Sequence, residues 1–166
     1  DMAPFYDALP FTLTDAQRRC VEEAIADMAS GSPMNRLCQG DVGSGKTMVA
    51  AACVYFCVKN GRQAALMAPT EILARQHFTG LSPLLEKLGI RCVLLTGSTS
   101  AREKKAVTAK LATGEADFAI GTHALISQGV DYQNLGLVVT DEQHRFGVGQ
   151  RAALAAKGSH PHTLVM

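Results

Sequence analysis

Residues 39–47 read QGDVGSGKT, a fit to the pattern G-x-x-x-x-G-K-[ST] at Gly40, Gly45, Lys46 and Thr47, and no other stretch restricts the possible folds as tightly. Such a segment works only where a strand delivers the chain to a glycine-rich turn and a helix carries it away. The backbone amides of the turn then converge on a polyphosphate at the start of the helix. Here the apolar stretch Leu37 to Gln39 leads into the glycines and an apolar-rich segment follows them. In that setting Lys46 reaches the β and γ phosphates, and the Thr47 hydroxyl is placed to ligate Mg²⁺.

Beyond this loop, short β-rich apolar runs alternate with helical patterns, which predicts a parallel sheet covered by helices on both faces. Strands are expected at Leu37 to Gln39, Ala64 to Ala68, Cys92 to Leu95, Phe118 to Ile120, Leu137 to Thr140 and Thr163 to Val165. A helix is expected from Thr14, with Gln17 three residues on as a capping box and Cys20, Val21, Ala24, Ile25 and Met28 at helical spacing. Ser100 and Glu103 repeat that start signal, and Gly114 stands where the second helix should stop.

With 166 residues, 47% of them hydrophobic, the chain can bury a real core, and a single compact domain is the natural reading. A formal net charge of +1 announces no polyanionic partner by itself. Five cysteines, Cys20, Cys38, Cys53, Cys57 and Cys92, lie among apolar segments without ligand spacing, as expected of buried thiols in a reducing cytoplasm. No apolar run approaches the roughly 20 residues that span a bilayer, and the first residues carry no signal-peptide pattern. Both ends read as cut points, at Asp1 and after the apolar run Thr163 to Met166, so a domain excised from a longer chain is expected.

A phosphate loop alone does not name a reaction, because kinases, GTPases and motor ATPases share it. Open parallel sheets place ligands at the carboxyl ends of their strands, and there the run Leu137, Val138, Val139 ends in Asp141 and Glu142. Asp141 would hold Mg²⁺ through its water shell, and Glu142 would polarise the water attacking the γ-phosphorus. A zinc site using His144 with His77, His123, His160 and His162 lacks the short fixed ligand spacings such sites use. A small-molecule phosphotransferase would need an Arg-bearing lid that is not evident. A non-catalytic scaffold would be expected to have lost Lys46 or Glu142.

In order, the stretches LPFTLTDAQRR, QGDVGSGKT, APTEILARQH, LLTGS, GTHAL and DEQHRFGVGQR resemble the superfamily 2 helicases, specifically the first RecA-like motor domain of those that remodel branched DNA. Gln143 with PTEIL sets the chain nearer to that group than to the transcription-repair coupling factor, a related translocase that typically carries Glu at the third acidic-motif position. The resemblance implies a RecA-like P-loop NTPase, a three-layer α/β/α sandwich around a mostly parallel central sheet. It also implies ATP and Mg²⁺ as cofactors. Gln17 would read the adenine edge with Phe11 against the base, and Gly43, Ser44, Gly45, Lys46 and Thr47 would bind phosphates and metal. Gln143 and His144 would sense the γ-phosphate.

Thr70, Thr96, Gly97, Ser98 and Thr122 would grip a DNA backbone, with Arg145, Phe146, Gln150 and Arg151 as an extension of the acidic motif toward DNA or a partner domain. Each of these hydroxyls also fits an ordinary helix cap or turn. The partners implied are branched or duplex DNA and, within the same full-length chain, a second RecA-like domain and a wedge domain. The chain by itself is expected to be nearly inactive. Thr140 departs from the family, which more often has an aliphatic residue there, and a β-branched Thr still suits a strand.

Overall fold

A computed structural model of the chain describes residues 1–37, 44–141 and 148–166. In chain order the elements are α1 (Ala3–Ala8), α2 (Asp15–Ala29), β1 (Asn35–Leu37), α3 (Ser44–Lys59), β2 (Gln63–Met67), α4 (Glu71–Lys87), β3 (Cys92–Leu95), α5 (Ala101–Thr113), β4 (Phe118–Gly121), a 3-10 turn (His123–Ile126), β5 (Leu135–Thr140), α6 (Val148–Ala155) and β6 (His162–Val165). The six strands form one sheet in the order β1-β6-β5-β2-β4-β3. Every ladder is parallel, because every pair of strands is joined through helical or 3-10 crossover segments rather than hairpins. The sheet is thus wholly rather than mostly parallel.

Strand periodicity sorts the core into two layers. Ala64, Leu66, Phe118, Ile120, Leu137, Val139 and Leu164 share one cluster with residues of α2, α3 and α4. Their alternates Ala65, Met67, Ala119 and Val138 join Leu111 of α5, Leu125 of the 3-10 turn and Leu154 of α6 on the opposite side. This is the expected α/β/α sandwich. β3 spans the residues anticipated for it; β5 starts earlier, at Leu135, and β1 at Asn35, while Cys38 and Gln39 lie outside the described residues. α3 is apolar all round and its run Val49 to Val54 is buried. Such a helix must be enclosed on all sides, and it packs against β2, β5, α2 and α4.

The short helix α1 was not anticipated. Its anchor is Phe5, fully buried, with ring centroids 5.8 Å from Tyr6 and 5.9 Å from Tyr55. Another feature without a local signature is Gln63, buried at the start of β2. Its Nε2 donates to the carbonyls of Leu111 (2.9 Å) and Ala116 (2.8 Å), and its Oε1 accepts from Asn134 N at 2.9 Å. One side chain therefore ties the end of α5 and the approaches to β4 and β5 to the central strand.

Candidate functional site

The phosphate loop leaves β1 and re-enters the described structure at Ser44, the first residue of α3. Gly40 and Gly43 fall outside the described residues, whereas Ser44, Gly45, Lys46 and Thr47 form the first turn of α3, with Lys46 and Thr47 half-buried. The buried shaft of α3 fixes where that turn, and its amides, can sit. Asp141 follows β5 directly and is 7% exposed. β6 lies between β5 and β1, so the acid and the loop leave the same edge of the sheet separated by one strand. Hard oxygen donors of this kind, a threonine hydroxyl and a carboxylate, suit Mg²⁺, which takes few protein ligands and keeps its waters. Glu142, Gln143, His144 and Arg145 lie outside the described residues, as does Phe146; Gln150 and Arg151 belong to α6.

Asp141 has a neighbour that local sequence patterns did not reveal. Its Oδ2 is 3.5 Å from Nε2 of His77 on α4, and both side chains are largely buried. Immediately before it, Thr140 is fully buried, and among the described residues its hydroxyl has no hydrogen-bond partner.

On the expected adenine side, the capping box of α2 forms in full. Gln17 N donates to Thr14 Oγ1 at 3.1 Å, and Thr14 N donates to Gln17 Oε1 at 2.9 Å. The carboxamide oxygen is thereby engaged in the cap. Phe11, 43% exposed, stands just ahead of this helix.

Two of the residues expected to face DNA, Thr96 and Ser98, come together through a carboxylate. Thr70 caps α4, accepting from Leu73 N at 3.2 Å. The next residue, Glu71, accepts a hydrogen bond from the Thr96 hydroxyl at 2.6 Å and another from Ser98, and Arg75 stands 3.7 Å away. The hydroxyls of Ser98 and Thr96, with Arg75 beside them, hold the Glu71 carboxyl below its ordinary range. Gly97 is exposed at the turn between the two hydroxyls. Thr122 is buried and caps the 3-10 turn, accepting from Ala124 N at 3.4 Å, while its own N–H donates to Leu95 O at 3.2 Å. Glu71 was missed because an acid at a helix start reads simply as a favourable partner of the helix dipole, and the hydroxyls it binds are more than twenty residues away.

A wholly parallel sheet with a phosphate-loop helix and an acid on the second strand over is the core of a P-loop nucleotide-binding domain. Residues 14–163 match the DEAD/DEAH box helicase family, and the chain belongs to it. It is 56% identical, over 96% of its length, to the ATP-dependent DNA helicase RecG of Streptococcus pneumoniae, and 54% identical, over 98%, to that of Synechocystis sp.. It spans 23% and 20% of those relatives. The structure of RecG bound to a three-way DNA junction superimposes with a TM-score of 0.86 at 48% identity, covering 98% of this chain and 22% of that one. Among the described residues no helix is long and apolar enough to cross a membrane.

Proposed function

We propose that this chain is the ATP-binding motor domain of a branched-DNA helicase, one unit of a longer protein that couples ATP hydrolysis to remodelling of forks and junctions. The observation that carries the reading is the pairing of a phosphate-loop helix with Asp141 at the carboxyl edge of one parallel sheet. Its likeness to RecG relatives over nearly the whole chain supports the DNA substrate.

In this reading Gly40, Gly43, Ser44 and Gly45 present backbone amides to the phosphates, and Lys46 neutralises the β and γ groups. Thr47, and Asp141 through water, would hold Mg²⁺, which when bound would supply positive charge to offset the charge that develops during hydrolysis. Glu142 orients the water for in-line attack. Gln143 and His144 respond to the γ-phosphate. Gln17 turns its NH₂ toward the adenine edge, since its oxygen already serves the cap, and Phe11 packs against the base. Thr70, Gly97 and Thr122 offer backbone and cap groups to the DNA backbone alongside Thr96, Ser98 and Arg145. A second RecA-like domain and a wedge domain of the same full-length chain complete the motor. Without the second domain's arginine finger, a contribution of order 10³ to 10⁵ in rate, the chain alone turns over very slowly.

The test is ATP hydrolysis by the full-length protein with and without forked DNA, beside Lys46→Ala and Glu142→Gln. Both variants are expected to lose DNA-stimulated hydrolysis. Retention of it by Glu142→Gln would remove the water-polarising role, and retention by Lys46→Ala would remove the site.

A further inference from the structure

We infer that His77 is a positioning residue for Asp141, helping to fix the plane of its carboxylate for the metal; this deepens the proposed ATPase reading and rests on it. The first observation is an anomaly of pattern. On α4 the buried positions Ala74, Leu81 and Leu85 recur at helical spacing, and His77 falls on that same stripe, where a purely structural helix would carry an apolar side chain. The second is geometric: His77 Nε2 lies 3.5 Å from Asp141 Oδ2, with the imidazole 15% and the carboxylate 10% exposed. A carboxylate this buried is costly without polar partners. An imidazole nitrogen at this distance, donating its proton to the carboxylate oxygen, would offset that cost and favour one orientation of the group.

α4 is well suited to present such a donor. Its start is pinned by the Thr70 cap and by the hydrogen bonds from Thr96 and Ser98 to Glu71, and its shaft by Leu81 and Leu85 in the core. From Glu71 to His77 the helix rises about 9 Å. The helix that begins at the proposed DNA-gripping loop therefore also sets the acid of the hydrolysis site.

Two substitutions separate the donor from the ring. His77→Phe keeps the ring's bulk and removes the N–H. His77→Gln reaches the Nε2 position with an amide N–H. In the full-length protein, binding of a fluorescent non-hydrolysable ATP analogue is titrated with Mg²⁺ and thermal unfolding is followed in parallel. His77→Phe is expected to raise the Mg²⁺ concentration for half-maximal binding by about tenfold or more, the usual effect of losing a ligand's hydrogen-bonding partner, and His77→Gln to restore most of it. In hydrolysis assays at saturating Mg²⁺, His77→Phe lowers kcat more than it changes KM for ATP.

An unaltered Mg²⁺ requirement in His77→Phe, or equal impairment by Phe and Gln, overturns the inference. Should the Phe variant not fold, Gln is compared with Asn, which mimics Nδ1 instead; equal behaviour of those two again overturns it. Asp141→Asn and Lys46→Ala serve as controls. If neither changes Mg²⁺-dependent nucleotide binding, the ATPase reading itself has failed. If both do and His77→Phe does not, only the role of His77 has failed.

Discussion

Glu71 engages two hydroxyls that a phosphate would otherwise claim, so its ionisation governs the loop that carries them. Its folded carboxyl sits below the ordinary value of 4.5 because Ser98 and Thr96 donate to it. A group depressed in this way contributes fully above its unfolded value, and that contribution is lost as pH falls through the lowered one. Amide exchange protection at Thr96 and Thr99, whose backbone groups close this turn, should therefore fall under acid conditions. Glu71→Gln should lower it already at neutral pH; unchanged protection would show that the carboxylate does not tether the loop. Thr140 presents the opposite situation, a buried hydroxyl with no partner among the described residues. Replacing it by Val keeps the shape and removes an unsatisfied group, which is worth about 1–3 kcal/mol. The variant should unfold at higher denaturant concentration than the parent, and a lower midpoint would contradict the assignment.

At the scale of elements, α2 joins stability and recognition in one side chain, and substitution can part them. Thr14→Ala should cost about 1 kcal/mol through the lost cap. Gln17→Glu keeps the box, since Glu serves equally well at that position, but loses the NH₂ proposed to read adenine. Unfolding of the Glu variant should match the parent while its preference for ATP over other nucleoside triphosphates weakens; unchanged preference would leave Gln17 as a cap alone. Both helix starts at Thr14 and Ser100 were legible because caps are local, confined to four residues. The same holds for β3 and for the left-handed stop at Gly114, whose φ is 85°. α1 was not legible, since six residues are too few to show a period. Glu71, and the pairing of His77 with Asp141, escaped notice for a different reason: their partners are brought to them by the sheet, not by the chain nearby.

For the molecule as a whole, local patterns revealed the alternation of strands and helices and the acid at a strand end, but not which strand lies beside which. Strand order depends on packing between distant segments, and the placement of β6 between β1 and β5 has no local signal. Close approach of backbones is similarly hidden. A Cβ on Gly121 would lie 2.0 Å from Leu95 O, so Gly121→Ala must part β4 from β3. It should cost about 3 kcal/mol or more, at the upper end of overpacking effects, measured by denaturant unfolding; a neutral result would mean that the sheet edge yields easily.

The position of β6 also sets a schedule for synthesis. Among the described residues β1 pairs with β6 alone, and the contact from Met34 N to His162 Nδ1 closes a separation of 128 residues. At ribosomal rates of about 5–20 residues per second, that is roughly ten seconds of elongation. Throughout that interval the strand feeding the phosphate loop has no edge to join, although its residues have already left the ribosome. The nascent chain thus exposes β1 early, and β1 gains its described strand partner only when β6 arrives.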